Sequence, residues 1–151
     1  MIDKKKDLKA LLQEVHEIYE KKIPFNRTLG LQLDSLSEND VCIKFVMKEE
    51  LVGNYVDGVL HGGVISAVLD TVGALTASVG ILVKGKKRLQ IDQILKGTID
   101  LRVDYLRPGN GKYFLATGSI MRMGKKVVVA RMELHNDHKS LIAIGTGTYS
   151  R

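Results

Sequence analysis

The feature that most constrains this sequence is a segment of 22 residues, Gly62 to Val83, in which the only charged residue is Asp70. A segment of this length and composition forms either a membrane span or a buried helix. Four glycines and several Ser and Thr residues interrupt it, and segments of strand composition follow it rather than further apolar spans. We therefore favour the buried helix and predict it over about 62–79. Its apolar residues are not confined to one stripe, so we expect other parts of the protein to pack around nearly all of its surface.

The other segments have the periodicities of one amphipathic helix and several strands. Apolar residues at spacings of three and four predict a helix over about 3–22 that ends before Pro24. Alternating residues over 30–36 and 41–47 predict a β-hairpin that turns at 37–40. Four later segments predict a meander of antiparallel strands: 98–106, 112–122, 126–134 and 140–149. This order is α+β, with the apolar helix packed on one face of the sheet.

The charge and the cysteine content limit which classes of binding partner and which cellular compartment we expect. The net charge of +6 favours anionic partners, but the basic residues form no regular stripe with interleaved aromatics, so we expect no nucleic-acid partner. The strongest basic cluster comprises Lys84, Lys86, Lys87 and Arg88. The single Cys42 cannot form an internal disulfide, and the polar N-terminus lacks a signal-peptide core, so we expect a cytoplasmic protein with no membrane partner.

Asp70 needs an explanation because an isolated carboxylate in an apolar helix must be paired, neutralised or exposed. If the helix begins at Gly62 or Gly63, Asp70 lies about two turns inside it, beside residues that leave room for another group. Those neighbours are Ala67, Thr71 and Ala74. The alternative is that Asp70 caps a helix beginning at Thr71, although no Glu or Gln at position 73 completes a capping box. We favour the first interpretation, which makes Asp70 a candidate functional residue.

The residues His61-Gly62-Gly63 stand where this helix begins. Glycines at a helix start allow a ligand to approach the backbone, and their N–H groups lie at the positive end of the helix dipole, where a developing oxyanion is stabilised. Other catalytic patterns are missing: Ser66 lies outside a G-x-S-x-G elbow, and His135 and His138 lack further zinc ligands. No phosphate-binding glycine motif is present either, so we expect no metal and no cofactor.

Together these residues resemble the active-site segment of hotdog-fold acyl-CoA thioesterases of the phenylacetate-degradation type. The resemblance lies in Asn54, then His61-Gly62-Gly63 seven residues later, then Asp70 seven residues after Gly63. Further segments are similar to that family's strand motifs: DLRVDYLRPG (100–109), GSIMRMGKKVVVARMELHND (118–137) and LIAIGTGTY (141–149). The resemblance covers about residues 27–150. It implies a hotdog domain over 27–151, a curved antiparallel sheet around one long helix, preceded by a helical extension over 1–26.

The resemblance also implies roles for individual residues. Asp70 would be the nucleophile or general base, the Gly63 N–H would polarise the thioester carbonyl, His61 would shape the helix start, and Asn54 would hold the carbonyl or the water. Further substrate contacts are expected from Gly62, Thr98, Lys84, Lys86, Lys87 and Arg88, the basic cluster facing the phosphates of coenzyme A. The family forms homodimers, often assembled into homotetramers, in which the Asp and the Asn/Gly group come from different subunits.

Two other functions stay open at this point. One is a hotdog hydratase or dehydratase that acts on acyl-CoA without cleaving it. That reaction uses a His paired with an acidic residue, and the position of His61 before the helix does not assign it as the partner of Asp70. The other is a non-catalytic acyl-CoA-binding module, which would not need Asp70. The acyl group itself cannot be identified, because the depth of the pocket depends on how helix and strands pack.

Overall fold

The computed structural model describes residues 4–38, 40–84 and 97–151. The helices are α1 (Lys4–Glu17), continued by a π-helical turn (Ile18–Lys22), then α2 (Pro24–Leu29) and α3 (Gly62–Lys84), with a 3₁₀ turn at Glu49–Leu51. The strands are β1 (Gln32–Leu36), β2 (Val41–Val46), β3 (Val52–Asn54), β4 (Val59–Leu60), β5 (Thr98–Tyr105), β6 (Tyr113–Met123), β7 (Val127–Asn136) and β8 (Leu141–Ser150).

Six strands form one antiparallel sheet in the order β1-β2-β6-β7-β8-β5, while β3 and β4 form a separate hairpin. The hairpin of β1 and β2 is confirmed, and β6, β7 and β8 form a meander. The prediction of a four-stranded meander is wrong for β5, which pairs with β8 at the far edge and not with β6. The segment between β5 and β6, residues 106–112, is longer than a tight hairpin turn and reaches about 23 Å when extended, enough to cross the end of the sheet.

Helix α3 is the centre of the core, as the apolar segment predicts. It begins at Gly62 and runs five residues beyond the predicted end, to Lys84. Val68, Leu69 and Val72 are fully buried. It is long and apolar enough to cross a membrane, but 67% of its most apolar window is buried inside the protein. Packing against the sheet therefore accounts for the apolar composition of the segment.

The N-terminal segment packs on the same core. Val15 of α1 and Tyr19 of the π-helical turn are buried in the main hydrophobic cluster. The predicted helix stops before Pro24, as expected, but this proline also occupies the first turn of α2, a helix that the sequence analysis missed. The amide Nδ2 of Asn26 in α2 donates to the Tyr19 carbonyl at 2.8 Å, which fixes the bend between the two helices.

Candidate active site

Asp70 lies inside α3 and its side chain is partly exposed. Because α3 begins at Gly62, the alternative in which Asp70 caps a helix beginning at Thr71 is wrong. The carboxylate Oδ1 accepts a hydrogen bond of 2.9 Å from the hydroxyl of Thr98, the first residue of β5. In the described ranges no Lys or Arg forms an ion pair with Asp70. The hydrogen-bond partner of this carboxylate is therefore a neutral hydroxyl at the edge of the sheet.

Two buried tyrosines approach Asp70 from the core side. The Tyr149 hydroxyl donates to the Asp70 backbone carbonyl at 3.3 Å. Burial, and secondarily the negative charge of Asp70, raise the pKa of Tyr149 well above its ordinary value. Burial raises the pKa of Tyr19 to about 12, against the opposing effect of its hydrogen bond with Ser78 and with a smaller contribution from Asp70. Both phenols therefore stay protonated across the physiological range and add no charge to the site.

The start of α3 is organised by His61. Its backbone N–H donates to the Leu51 carbonyl at 2.8 Å, and its own carbonyl accepts the Val64 N–H at 3.0 Å. Its ring Nδ1 accepts the Gly63 N–H at 2.8 Å, so the imidazole caps the helix in the way that a Ser or Asp side chain usually does.

This capping changes which amide can meet a substrate. The Gly63 N–H, expected to polarise the carbonyl, is already donated to the imidazole of His61. The Gly62 N–H precedes the first intrahelical bond and has no acceptor among the residues that the structure describes. Gly62 is therefore the amide at this helix start that is available to an oxyanion.

Tyr105, the last residue of β5, is a site residue that the sequence analysis did not single out. Its hydroxyl donates to the Gly62 carbonyl at 3.1 Å. Its ring lies 3.5 Å from the position that a Cβ on Gly62 would occupy. The two residues are 43 positions apart in the sequence, so no local pattern predicts their contact. The one sequence signal that could have identified Tyr105 is its position in the motif DLRVDYLRPG. Tyr105 orients the peptide group that follows the free amide.

Asn54 has a structural role in this chain. Its Oδ1 accepts the Val56 N–H at 3.0 Å, and its Nδ2 donates to Asp57 Oδ2 at 2.7 Å. These bonds close the turn between β3 and β4, and Asn54 is exposed. Among the described residues, the polar contacts of the Asn54 side chain are to this turn and none is to Asp70.

The two principal groups of the site are far apart in one chain. Asp70 follows Gly62 by eight residues of continuous helix, which separates them by roughly 12 Å along the axis. A nucleophile and an oxyanion donor must both lie about 3 Å from the reacting group. One chain therefore does not bring Asp70 and the Gly62 N–H to the same reacting group.

The predicted basic cluster is described only in part. Lys84 is exposed at the end of α3 and lines a cavity of about 270 Å³ together with Glu38. It follows Asp70 by fourteen helical residues, or roughly 21 Å. Lys86, Lys87 and Arg88 lie outside the described residues. In the part of the chain that the structure describes, no group of three His, Cys, Asp or Glu is arranged to hold a metal ion.

Comparison with known sequences places these residues in a known family. A family model described as the thioesterase superfamily matches residues 57–143, a span that includes His61, Gly62, Asp70, Thr98 and Tyr105. The medium/long-chain acyl-CoA thioesterase YigI of Escherichia coli K12 is 42% identical over 143 residues, which cover 91% of this chain and 92% of that protein.

Solved structures agree with the fold. A Shewanella oneidensis protein described as related to the thioesterase superfamily superposes with a TM-score of 0.88 at 43% identity, covering 95% of this chain and 96% of the other. The PaaI protein from the phenylacetic acid degradation operon of E. coli superposes with a TM-score of 0.75 at 19% identity, covering 99% and 96%. At that identity PaaI supports the fold alone. The hotdog architecture inferred from the sequence is confirmed.

Proposed function

This chain belongs to the thioesterase superfamily, and from that premise we propose that it hydrolyses acyl-CoA with Asp70 as general base or nucleophile. The observation that carries the proposal is a carboxylate in the middle of the central helix that is partly exposed, hydrogen-bonded by Thr98 and without a cationic partner among the residues that the structure describes. Such a carboxylate has access to water or substrate and can accept a proton from it.

The reaction needs little more than this group and one hydrogen-bond donor. In the general-base form, water attacks the thioester carbon while Asp70 takes its proton, the C–S bond breaks, and the proton passes to the leaving thiolate. In the nucleophile form, the Asp70 carboxylate attacks the thioester carbon, the C–S bond breaks, and a mixed anhydride of Asp70 and the acyl group forms as the thiolate leaves. Water then hydrolyses the anhydride, which releases the acid and regenerates Asp70, and the proton from this water passes to the thiolate. Either way a negative charge forms on the carbonyl oxygen, and we assign its stabilisation to the Gly62 N–H at the positive end of α3. His61 caps this helix start and leaves that amide free.

We further propose that the working unit is a homodimer formed through β5. This strand is an edge of the sheet, and large apolar residues are exposed along it and directly after it: Ile99 and Tyr105 in the strand, and Leu106 next to its end. An unprotected edge of this kind is a template for pairing with another chain. Pairing would bring Thr98 and Tyr105, which contact Asp70 and Gly62, to the interface. Asp70 of one subunit would then face the helix start of the other, with a homotetramer as the larger assembly.

A mixing experiment tests the shared site. Asp70→Asn removes the base, and Gly62→Pro removes the amide donor at a helix position where proline is well tolerated. In a heterodimer of the two variants, one site contains both changes and the other contains neither. We expect each homodimer to be inactive and tagged, purified heterodimers to recover about half of the parent activity. Inactive heterodimers with intact folding would contradict a site made from two subunits.

For the substrate we propose medium- and long-chain acyl-CoA, the range named for the YigI relative, and a cytoplasmic location. Thiol release measured over acyl chains of increasing length, without added cofactor, tests this. We expect the highest kcat/KM at medium to long chains. Tight binding without thiol release would favour a binding module, and addition or loss of water without thiol release would favour a hydratase.

A further inference from the structure

Asp70 is contacted by two residues that lie opposite each other in the sheet. Thr98 of β5 and Tyr149 of β8 are directly paired across these antiparallel strands. The Thr98 hydroxyl donates to the Asp70 carboxylate at 2.9 Å, and the Tyr149 hydroxyl donates to the Asp70 backbone carbonyl at 3.3 Å. Directly opposed residues project from the same face of a sheet. One strand pair therefore holds both the side chain and the main chain of Asp70, although the proposed mechanism gives Tyr149 no task.

The two contacts differ in their access to solvent. Thr98 is exposed, whereas Tyr149 is only 2% exposed. Water can replace a lost hydrogen bond at Thr98, but a buried phenol needs an acceptor inside the protein. The acceptor that the structure gives the Tyr149 hydroxyl is Asp70. The Tyr149 contact is therefore the one that solvent cannot substitute.

Two glycines make room for the Tyr149 side chain. A Cβ at Gly73, three residues after Asp70 in α3, would collide with the Tyr149 hydroxyl. A Cβ at Gly147, two residues before Tyr149 in β8, would lie 2.5 Å from the same hydroxyl and 2.8 Å from the ring. Because neither position carries a side chain, the ring can lie against Gly147 and its hydroxyl can reach the backbone of α3. The contact with Asp70 thus depends on the residues chosen on both elements.

The Tyr149 hydroxyl is a neutral donor. Burial first, and then the negative charge of Asp70 and a hydrogen bond with that residue, raise the pKa of Tyr149 well above its ordinary value. A neutral donor beside a carboxylate favours the charged form of the carboxylate. The other titratable group that interacts with Asp70 from the core side is Tyr19, whose hydroxyl is hydrogen-bonded with Ser78. In the described ranges no cation pairs with Asp70, so these phenols and the Thr98 hydroxyl are its polar surroundings.

We propose that Tyr149 is a positioning residue for Asp70, whose buried hydroxyl fixes this part of α3 against β5 and favours the ionised carboxylate. The inference rests on the proposed acyl-CoA thioesterase function. Because Tyr149 is buried, it acts through Asp70 and not on the substrate. Small displacements of a reacting group are costly, since a shift of about 1 Å can lower a rate roughly 10²-fold.

The test removes one hydroxyl at a time. Tyr149→Phe keeps the ring and deletes the donor to Asp70. Tyr19→Phe is the matched control, because it deletes a similarly buried hydroxyl that is hydrogen-bonded with Ser78. For Tyr149→Phe we expect kcat to fall roughly 5- to 50-fold with KM unchanged. We also expect the acidic limb of the pH profile of kcat/KM to move to higher pH, because the ionised carboxylate loses a donor.

The pH profile separates positioning from a merely structural role. Loss of a buried hydrogen bond should lower the melting temperature of both phenylalanine variants, but the control should keep the parent kcat and the parent acidic limb. Gly147→Ala is a second variant that keeps the Tyr149 hydroxyl and displaces it, since the new methyl group would overlap it. We expect the same shift of the acidic limb. An unmoved limb in Tyr149→Phe, with or without a loss of kcat, or an equal shift in the control would overturn the proposal.

A direct titration separates this proposal from the proposed function. If the parent protein releases no thiol from any acyl-CoA, the proposed function fails, and NMR of the ¹³C-labelled aspartate carboxyls decides on Tyr149 by itself. The Asp70 signal is identified by its loss in Asp70→Asn. The midpoint of its titration should rise in Tyr149→Phe and stay at the parent value in Tyr19→Phe. The same midpoint in all three proteins would overturn the positioning role.

Discussion

The two halves of α3 have similar apolar compositions but different surroundings. In the first half, 62–71, Gly62, Asp70 and Thr71 are partly exposed, and the helix contacts Thr98 and Tyr105 at the sheet edge. In the second half, every residue of 75–82 is buried. Both halves of the helix therefore contribute to the core, and only the first half also presents the partly exposed face that carries the candidate site. Substitutions on that face should change the rate, and substitutions in the second half should change the stability.

The largest effect is expected from Asp70→Asn in the first half, which keeps the size of the side chain and removes its basicity. We expect kcat to fall by roughly 10² to 10⁴, the scale of a lost acid/base group, with substrate binding retained. The melting temperature should stay level or rise, because an amide costs less to bury than a carboxylate. Steady-state kinetics and thermal unfolding with one acyl-CoA measure both. A variant that keeps more than about a tenth of the parent kcat would remove Asp70 from the mechanism.

The second prediction concerns Gly62→Pro, which deletes the amide assigned to the oxyanion. We expect kcat to fall roughly 10²- to 10³-fold, as for the loss of one oxyanion donor, while the helix survives because proline suits its first position. Gly62→Ala is the control: it keeps the N–H, and its Cβ would meet Tyr105 at an ordinary contact distance of 3.5 Å. An equal loss of kcat in the alanine variant would point to crowding and not to the amide.

The third prediction tests the second half of α3 through Gly118 of β6. A Cβ at Gly118 would collide with the Thr76 hydroxyl and would lie 3.2 Å from the Val72 carbonyl. We expect Gly118→Ala to lower the free energy of unfolding by about 1–3 kcal/mol, the usual cost of overpacking, with kcat little changed below the melting transition.

A second substitution checks the cause of that loss. Thr76→Ala removes the hydroxyl that the new methyl group would meet, so it should restore part of the lost stability when combined with Gly118→Ala. The two changes should then be non-additive in denaturant unfolding. Strict additivity would show that the collision with Thr76 is not what destabilises the single variant.

The sequence predicted the parts of this molecule that depend on local pattern. The apolar segment predicted the central helix within five residues of its end, alternation predicted the first hairpin, and strand composition predicted the other four strands of the main sheet. The position of β5 beside β8 could not be derived, because strand order depends on pairing between distant segments. Helix α2 was also missed, because a proline is typical both of the residue after a helix and of the first turn of a new helix, and Pro24 is both.

The candidate site, too, could be predicted only where it depends on local sequence pattern. Asp70 was identifiable because a single charge interrupts an apolar run. Its partner Thr98 lies 28 residues away, and no local pattern joins them. The choice between the Gly62 and Gly63 amides depends on the orientation of the His61 ring, which accepts the Gly63 N–H. Side-chain orientation of this kind follows from packing and not from spacing along the chain.

The smallest effect is expected from Thr98→Val, which removes the hydroxyl on Asp70 while keeping the shape of the side chain. Thr98 is exposed, so water can replace part of the lost hydrogen bond. A net hydrogen bond is worth about 0.5–1.5 kcal/mol, so we expect kcat to fall roughly 2- to 10-fold with stability within about 0.5 kcal/mol of the parent. Thr98→Ser keeps the hydroxyl and should keep the rate. If serine lost as much activity as valine, the hydroxyl alone would not explain the loss, and the packing of the Thr98 side chain against the first half of α3 would matter as well.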